Sequence, residues 1–155
     1  MDDLPYLFCD SVAGNIRDLC PLSPLNIRQW GKWKTAFDDH ATNRRTYHLC
    51  IGFDGERWSY TFTNFDLLNF EQIKKINPKY LRVTHISISD FHWSASASFP
   101  AICEIMEYVV PLLDSSTLNL KASKANDTDL AHLLGYLKNA SIGHVTFTSG
   151  KKTSM

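Results

Sequence analysis

Histidine and cysteine are the residues of this chain that could bind a metal ion, and it contains six histidines and four cysteines. His48 and Cys50 lie two positions apart, so on a strand both would point to one face. His85 and His92 form the other near pair. A tetrahedral zinc site needs more ligands than either pair supplies, and neither has a zinc-site spacing. We therefore predict no metal site and no cofactor, with a Cys50 nucleophile and a distant histidine left open as a hydrolase hypothesis.

Two further motifs contain the residue types of enzymes without the spacing that the chemistry needs. Segment 149–153 includes a Gly-Lys pair like the end of a phosphate-binding loop, but Val145 occupies the place of the first glycine. Glu104 and Glu107 lie three apart, and nothing in the sequence indicates a partner that would raise either pKa, as a glycosidase acid requires. The sequence therefore predicts a protein that is not an enzyme.

Charge and hydropathy exclude other classes of function. Lysine plus arginine and aspartate plus glutamate number 16 each, so the formal net charge is zero. Such a chain has no general attraction to phosphate backbones or anionic membranes. No apolar run approaches the ~20 residues of a membrane span, and residues 1–5 are acidic, unlike a signal peptide. We expect a soluble protein of the cytoplasm or nucleus, with reduced cysteines, that binds neither nucleic acid nor membrane.

The elements that must position these residues begin with short helices in a first domain, residues 1–45. A second helix is predicted to begin at Ser23 and Pro24, an N-cap followed by a first-turn proline. Both helices have apolar residues spaced three and four apart, as one face of a helix requires. The first stripe comprises Leu4, Phe8, Val12, Ile16 and Leu19, and the second comprises Ile27, Trp30, Trp33 and Phe37.

The second domain, residues 46–155, begins with the period of β-strands. Apolar residues alternate over 47–53 and again over 58–62, and Asp54-Gly55 between them is typical of a tight type I′ turn. This pattern predicts a β-hairpin. Residues 65–77 predict a short helix that ends before Pro78, because a residue that precedes proline avoids helical backbone angles.

Three strand patterns then alternate with two helical ones. Apolar, polar, apolar triplets stand at 86–88, 118–120 and 145–147, with helical stripes over 100–113 and 128–137 between them. Helical crossovers of this length join parallel strands. The predicted fold class is α+β: N-terminal short helices, a β-hairpin, then βαβαβ parallel units resembling a short leucine-rich-repeat solenoid.

An aromatic loop, residues 91–93, follows the first strand of this repeat region. It contains Phe91, His92 and Trp93 beside a Ser- and Ala-rich segment that offers little to pack against. Exposed aromatic side chains on loops are frequent in protein interfaces, so these three residues are the predicted partner-binding residues. The alternative is that Trp93 folds back as a plug beneath its own loop.

Residues 4–12 read Leu-Pro-Tyr-Leu-Phe-Cys-Asp-Ser-Val, and an Ile-Gly-Phe-Asp-Gly-Glu-Arg-Trp hairpin follows at 51–58. This pattern resembles an F-box, and more closely a nematode family of F-box-like proteins. The resemblance implies that residues 1–45 bind the Skp1 adaptor of a cullin-RING ubiquitin ligase and that residues 46–155 recruit a protein substrate. Carried across by position, the adaptor-binding or box-core residues would be Leu4, Pro5, Phe8, Val12, Ile16, Leu25 and Trp33.

Two functions of different classes therefore compete. The first is an F-box-like substrate receptor without enzymatic activity, and the second is a stand-alone protein-interaction domain without a ligase role. In the second, the helices cap the sheet and bury their apolar stripe internally. The exposure of Phe8, Val12 and Ile16 discriminates between them.

Overall fold

The computed structural model describes residues 5–16, 31–64, 66–122, 124–140 and 142–147. The chain divides into two compact units, Met1–Arg45 and Thr46–Met155, called the helical unit and the sheet unit below. The helical unit contains helices α1 (Tyr6–Asn15) and α2 (Gly31–Asn43). No helix within the described ranges is long and apolar enough to cross a membrane.

Helices α1 and α2 pack through small side chains. Cys9 and Ala13 lie one turn apart on α1 and are buried together with Ala36 of α2. A polar contact joins the same helices, since Nε2 of the buried His40 is 3.1 Å from Oδ1 of Asp10. The described core of this unit is therefore small, and polar contacts supplement it.

Arg44 holds the end of α1. Its guanidinium donates hydrogen bonds to the carbonyl oxygens of Ala13 at 3.0 Å and Gly14 at 3.1 Å, and also to that of Ile16. These carbonyls belong to the last turn, where a helix leaves acceptors without intrahelical partners. A cation here also complements the helix dipole. One side chain that follows α2 thus terminates α1.

Helix α1 is shorter than the apolar stripe predicts. Pro5 is its N-cap rather than a residue of its first turn, and Ile16 lies just past its end in an extended conformation. Three of the predicted features, Leu4, Leu19 and the helix start at Ser23, lie outside the described residues.

The described part of the sheet unit contains one mixed, open sheet of seven strands, together with three α-helices. Its strand order is β3-β2-β1-β4-β6-β7, with β5 paired to β2. The strands are β1 (Arg45–Phe53), β2 (Trp58–Thr63), β3 (Leu67–Leu68), β4 (Leu81–Ser89), β5 (Ala95–Ala97), β6 (Leu113–Lys121) and β7 (Ile142–Phe147). The helices are α3 (Phe70–Lys74), α4 (Phe99–Val109) and α5 (Asp127–Tyr136).

Strands β1 and β2 form the predicted hairpin, which is confirmed. Phe53 pairs with Trp58, so four residues form the loop and the two-residue type I′ turn was wrong. Oδ1 of Asp54 accepts hydrogen bonds from two backbone N–H groups of this loop, and Gly55 has a φ of 108°, which glycine adopts without strain. Asp-Gly therefore supplies the turn chemistry of a longer loop.

The parallel part of the sheet confirms the predicted order of strand, helix, strand, helix, strand. Ile86 of β4 pairs with Leu118 of β6, which pairs with Val145 of β7, and both pairings are parallel. Helix α4 begins where the Ser98 side chain accepts a hydrogen bond from the Ala101 N–H, as an N-cap does. Its apolar stripe packs on the sheet core.

The helix predicted over 65–77 was partly wrong. Only Phe70–Lys74 is helical, because Leu67 and Leu68 pair with the end of β2 as strand β3. Strand β5 pairs with the other end of β2 and was not predicted. The core of the sheet unit lies between the strands and the three helices. Its largest fully buried side chains are Phe62, Leu49, Ile51, Ile73, Leu81, Ile86, Ile88, Ile102, Ile105, Met106 and Leu133.

Candidate functional site

The first candidate site is an apolar surface on α1, formed by Tyr6, Leu7 and Phe8 and called the α1 surface below. Their exposed fractions are 36%, 78% and 49%. Because α1 buries Cys9 and Ala13, its largest apolar side chains are left on the outside. All three belong to the first turn of α1, and exposed apolar side chains close together on a surface are typical of protein-binding sites.

Aromatic contacts hold one edge of the α1 surface in place. The ring of Phe8 meets Trp33 of α2 edge-on with centroids 6.0 Å apart, and Trp33 stacks on Phe37 at the same distance. Trp33 and Phe37 are half-buried. A partner would therefore meet a Phe8 side chain whose orientation is already restricted.

The structure brings two of the seven residues predicted for adaptor binding, Phe8 and Trp33, into contact. Pro5 is exposed at the start of α1, Val12 is half-buried, and Ile16 is exposed past the end of the helix. Leu4 and Leu25 lie outside the described residues.

Sequence reasoning missed Leu7, the most exposed of the apolar side chains on α1. Leu7 lies off the stripe with spacings of four and three, so the pattern gave it no role. The usable signal was the pair of small residues Cys9 and Ala13, four apart, which faces α2. A face that packs closely against another helix favours small residues.

The second candidate site is the loop segment, residues 91–93, which follows β4 at the end of the parallel strands. The residue before the loop segment is bonded to the end of β6, because the backbone N–H of Asp90 donates to the carbonyl oxygen of Lys121 at 3.1 Å. Oδ1 of Asp90 accepts a hydrogen bond from the Lys124 N–H at 2.9 Å. The loop segment therefore starts from a fixed point.

The loop segment then crosses the hairpin at Gly52. A Cβ at that position would lie 1.8 Å from the carbonyl oxygen of Phe91 and 2.8 Å from Cδ1 of Trp93, so any larger residue would collide. The backbone N–H of Trp93 donates a hydrogen bond to Oγ of Ser59 at 2.9 Å. Trp93 is thus half-buried against the hairpin, which is the geometry of the plug alternative, whereas Phe91 is 70% exposed.

Polar contacts tie the loop segment to the hairpin turn. Nδ1 of the exposed His92 is 3.5 Å from Oδ2 of Asp54, and Nζ of Lys124 donates to the carbonyl oxygen of Asp54 at 3.3 Å. The backbone N–H groups of Arg57 and Glu56 lower the pKa of Asp54. Because these donors favour the ionised form, the Asp54 carboxylate stays charged beside His92.

Three buried polar atoms of the loop segment and of strands β2 and β4 have no hydrogen-bond partner in the part of the chain that the structure describes: Nε1 of Trp93, Oγ1 of Thr61 and Oγ of Ser89. Thr61 lies two residues along β2 from Ser59, and Ser89 ends β4 just before the loop segment.

His48 and Cys50 lie on the opposite side of the sheet from the core. The ring of His48 is 4.2 Å from that of His85, and burial, then the charge of His85, lower the pKa of His48. Burial raises the pKa of the Cys50 thiol, and a hydrogen bond with Thr63 offsets this in part. Activated cysteines have lowered pKa values, so the raised pKa of Cys50 does not favour the nucleophile hypothesis.

No three histidine, cysteine, aspartate or glutamate side chains within the described ranges converge as a metal site. Of the two carboxylates singled out on α4, Glu107 accepts a hydrogen bond from the hydroxyl of Tyr136 on α5 at 3.3 Å. Burial and a hydrogen bond with Cys103 raise the pKa of Tyr136 to about 12, so it remains a donor. This contact links α4 to α5.

No protein-family model, no curated protein and no solved structure matches this chain.

Proposed function

We propose that the chain is an F-box-like substrate receptor without enzymatic activity, whose helical unit binds a Skp1-like adaptor. The observation that carries the proposal is the α1 surface, where Tyr6, Leu7 and Phe8 are exposed while small residues form the core. Exposed apolar anchors beside a fixed aromatic contact favour association with another protein. The adaptor's identity comes from the F-box resemblance of residues 4–12.

In this proposal the sheet unit recruits the protein substrate. Its alternation from β4 to β7 supports a likeness to leucine-rich-repeat units, in which loops after the strands carry recognition residues. Phe91 and His92 are exposed on such a loop. Ubiquitin transfer itself would be performed by other subunits of the ligase.

The alternative function is a stand-alone protein-interaction domain without a ligase role. Two observations favour it, since Phe8 contacts Trp33 and Val12 is half-buried. Part of the apolar stripe is then used for packing within the helical unit. The two functions differ in whether the α1 surface binds an adaptor.

Calorimetric titration with a purified Skp1-like adaptor tests the proposal. We expect wild-type protein to bind at micromolar concentration or tighter, and Leu7→Ala combined with Phe8→Ala to weaken binding by about tenfold or more. Replacing Leu4 and Pro5 by alanine should also weaken binding without changing the far-ultraviolet circular dichroism.

The matched control is Leu67→Ala, because Leu67 is 64% exposed on the sheet unit and should leave adaptor binding unchanged. Wild-type protein that shows no association at micromolar concentrations would exclude the adaptor role and favour the stand-alone domain.

A further inference from the structure

The two edges of the sheet differ in how they are protected. At one edge, β2 is covered by β3 and β5, which have only two and three residues. Very short edge strands are one way in which proteins prevent their sheets from pairing with another chain. At the other edge lies β7, which has six residues and pairs with β6. No strand within the described ranges pairs with the outer side of β7.

The residues of β7 give this edge little protection of their own. The strand contains no lysine, arginine, aspartate, glutamate or proline, the residues that commonly block an edge. Its pairing with β6 is irregular at Gly143, but residues 144–147 follow a regular register with 117–120. A regular, uncharged edge of this kind is suited to accept a further strand.

Val145 is the residue of β7 that points most directly to a partner. It pairs with the buried Leu118, so its side chain lies on the side of the sheet that holds the core. It is nevertheless 41% exposed. A further strand beside β7 would place a side chain next to Val145 on this side and cover it.

We propose that a second copy of this chain pairs with β7 about a two-fold axis, so that the two sheets join edge to edge. A two-fold axis makes the two β7 strands antiparallel, and opposite residues in an antiparallel pair share one face of the sheet. Val145 lies opposite its own copy, and His144 of one copy lies opposite Thr146 of the other. The pairing uses only the sheet unit and does not depend on adaptor binding.

Charge and helix placement favour a second copy as the partner. The formal net charge of the chain is zero, so two copies do not repel each other as strongly charged chains do. Helix α5 joins β6 to β7 and buries Leu133 in the core, and the helix of a βαβ unit packs on the strands that it joins. With strands about 4.8 Å apart, the two copies of α5 would lie about 10 Å apart, a usual helix packing distance.

The two-fold axis also makes the two copies of α5 antiparallel. Asp127 is exposed in the first turn of α5, and Lys138 is exposed just after its last turn. The acidic end of one helix would therefore lie towards the basic end of the other, where opposite charges attract. The helices beside the joined strands thus have complementary charges.

Sedimentation velocity of the full chain tests the pairing, and we expect wild-type protein to dimerise with a dissociation constant of about 100 μM or tighter. Val145→Lys should weaken dimerisation by about fivefold or more, because it removes an apolar pair and places two like charges opposite each other. The matched control is Leu67→Lys, the same kind of change at an exposed apolar residue of β3 on the other edge, which should leave dimerisation unchanged.

A mixture of Val145→Lys and Val145→Glu tests the register. Opposite charges meet only in the mixed dimer, so we expect the mixture to associate about fivefold more tightly than either variant alone. If these variants do not fold, Val145→Cys still decides. Its two thiols would lie within reach of a disulfide across the axis, so oxidation should yield a covalent dimer that wild-type protein does not form.

Two results would overturn the pairing. In the first, wild-type protein stays monomeric at millimolar concentration, and slow amide exchange at Val145 in that monomer would show that another segment of the same chain covers β7. In the second, Val145→Lys and Leu67→Lys weaken dimerisation equally, or the mixture of oppositely charged variants associates no more tightly than either variant alone.

Discussion

The sheet unit has a fully buried core of large apolar side chains, whereas the fully buried core described in the helical unit consists of small ones. Phe62, Leu49 and Ile51 are fully buried in the sheet unit, while the helical unit buries Cys9, Ala13 and Ala36 and leaves Leu7 and Phe8 exposed. The sheet unit therefore gains stability from hydrophobic burial. The described part of the helical unit relies more on polar contacts, and a partner that covers the α1 surface would stabilise it.

The largest expected difference between the units is in the response to losing one apolar side chain. Phe62→Ala should lower the free energy of unfolding by about 3–5 kcal/mol, because it leaves a cavity in the core. Leu7→Ala should change it by less than about 0.5 kcal/mol. Urea denaturation followed by circular dichroism measures both, and a large loss on Leu7→Ala would mean that the α1 surface is structural.

Arg44→Ala should destabilise the helical unit by about 1–3 kcal/mol, since three carbonyl oxygens at the end of α1 lose a charged donor. Faster exchange of the α1 amides would report this change. Arg45→Ala is the matched control, because within the described residues the Arg45 guanidinium donates to the nearby carbonyl oxygens of Thr42 and Arg44 and not to α1. Equal destabilisation by the two variants would show that the hydrogen bonds from Arg44 to the end of α1 do not stabilise the helical unit.

A smaller effect is expected from pH, through His48 of the sheet unit. The pKa of His48 lies below its usual value of 6.5, so below that pH the unfolded chain binds the proton more readily than the folded one. Stability is therefore full above pH 6.5 and falls as the pH drops through the folded pKa. Melting temperatures between pH 7 and 5 should show this in wild-type protein and less in His48→Gln.

His144→Gln, at an exposed position on β7, is the control for the pH series and should leave the slope unchanged. A slope that persists in His48→Gln would assign the pH dependence to another group.

Removal of metal ions should have the smallest effect, because no three suitable side chains converge within the described residues. Prolonged treatment with a chelator should leave the melting temperature of both units unchanged. Stoichiometric zinc in purified, tag-free protein would contradict this prediction.

The sheet unit was largely predictable because apolar and polar residues alternate along its longer strands. That alternation predicted the hairpin and the order from β4 to β7, all of which the pairing confirms. Strands β3 and β5 have only two and three residues, too few for a period to show, and they form because β2 offers an edge.

The candidate sites were less predictable because contacts distant in the sequence decide them. Phe91 and Trp93 were both singled out, but which of them is exposed depends on Gly52, about 40 positions earlier. On α1, a stripe with the spacing of a buried face includes Phe8, which is half exposed, because smaller residues beside it occupy the helix contact. Local periodicity carries neither kind of information.

The contact between Gly52 and Phe91 also offers a criterion for sorting related sequences. A relative with any side chain at the equivalent of position 52 must route the segment after β4 along another path, whatever residues that segment contains. Such a relative would present a different outer surface on an otherwise similar sheet. The identity of this one strand residue would then divide a family into members that share a recognition loop and members that do not.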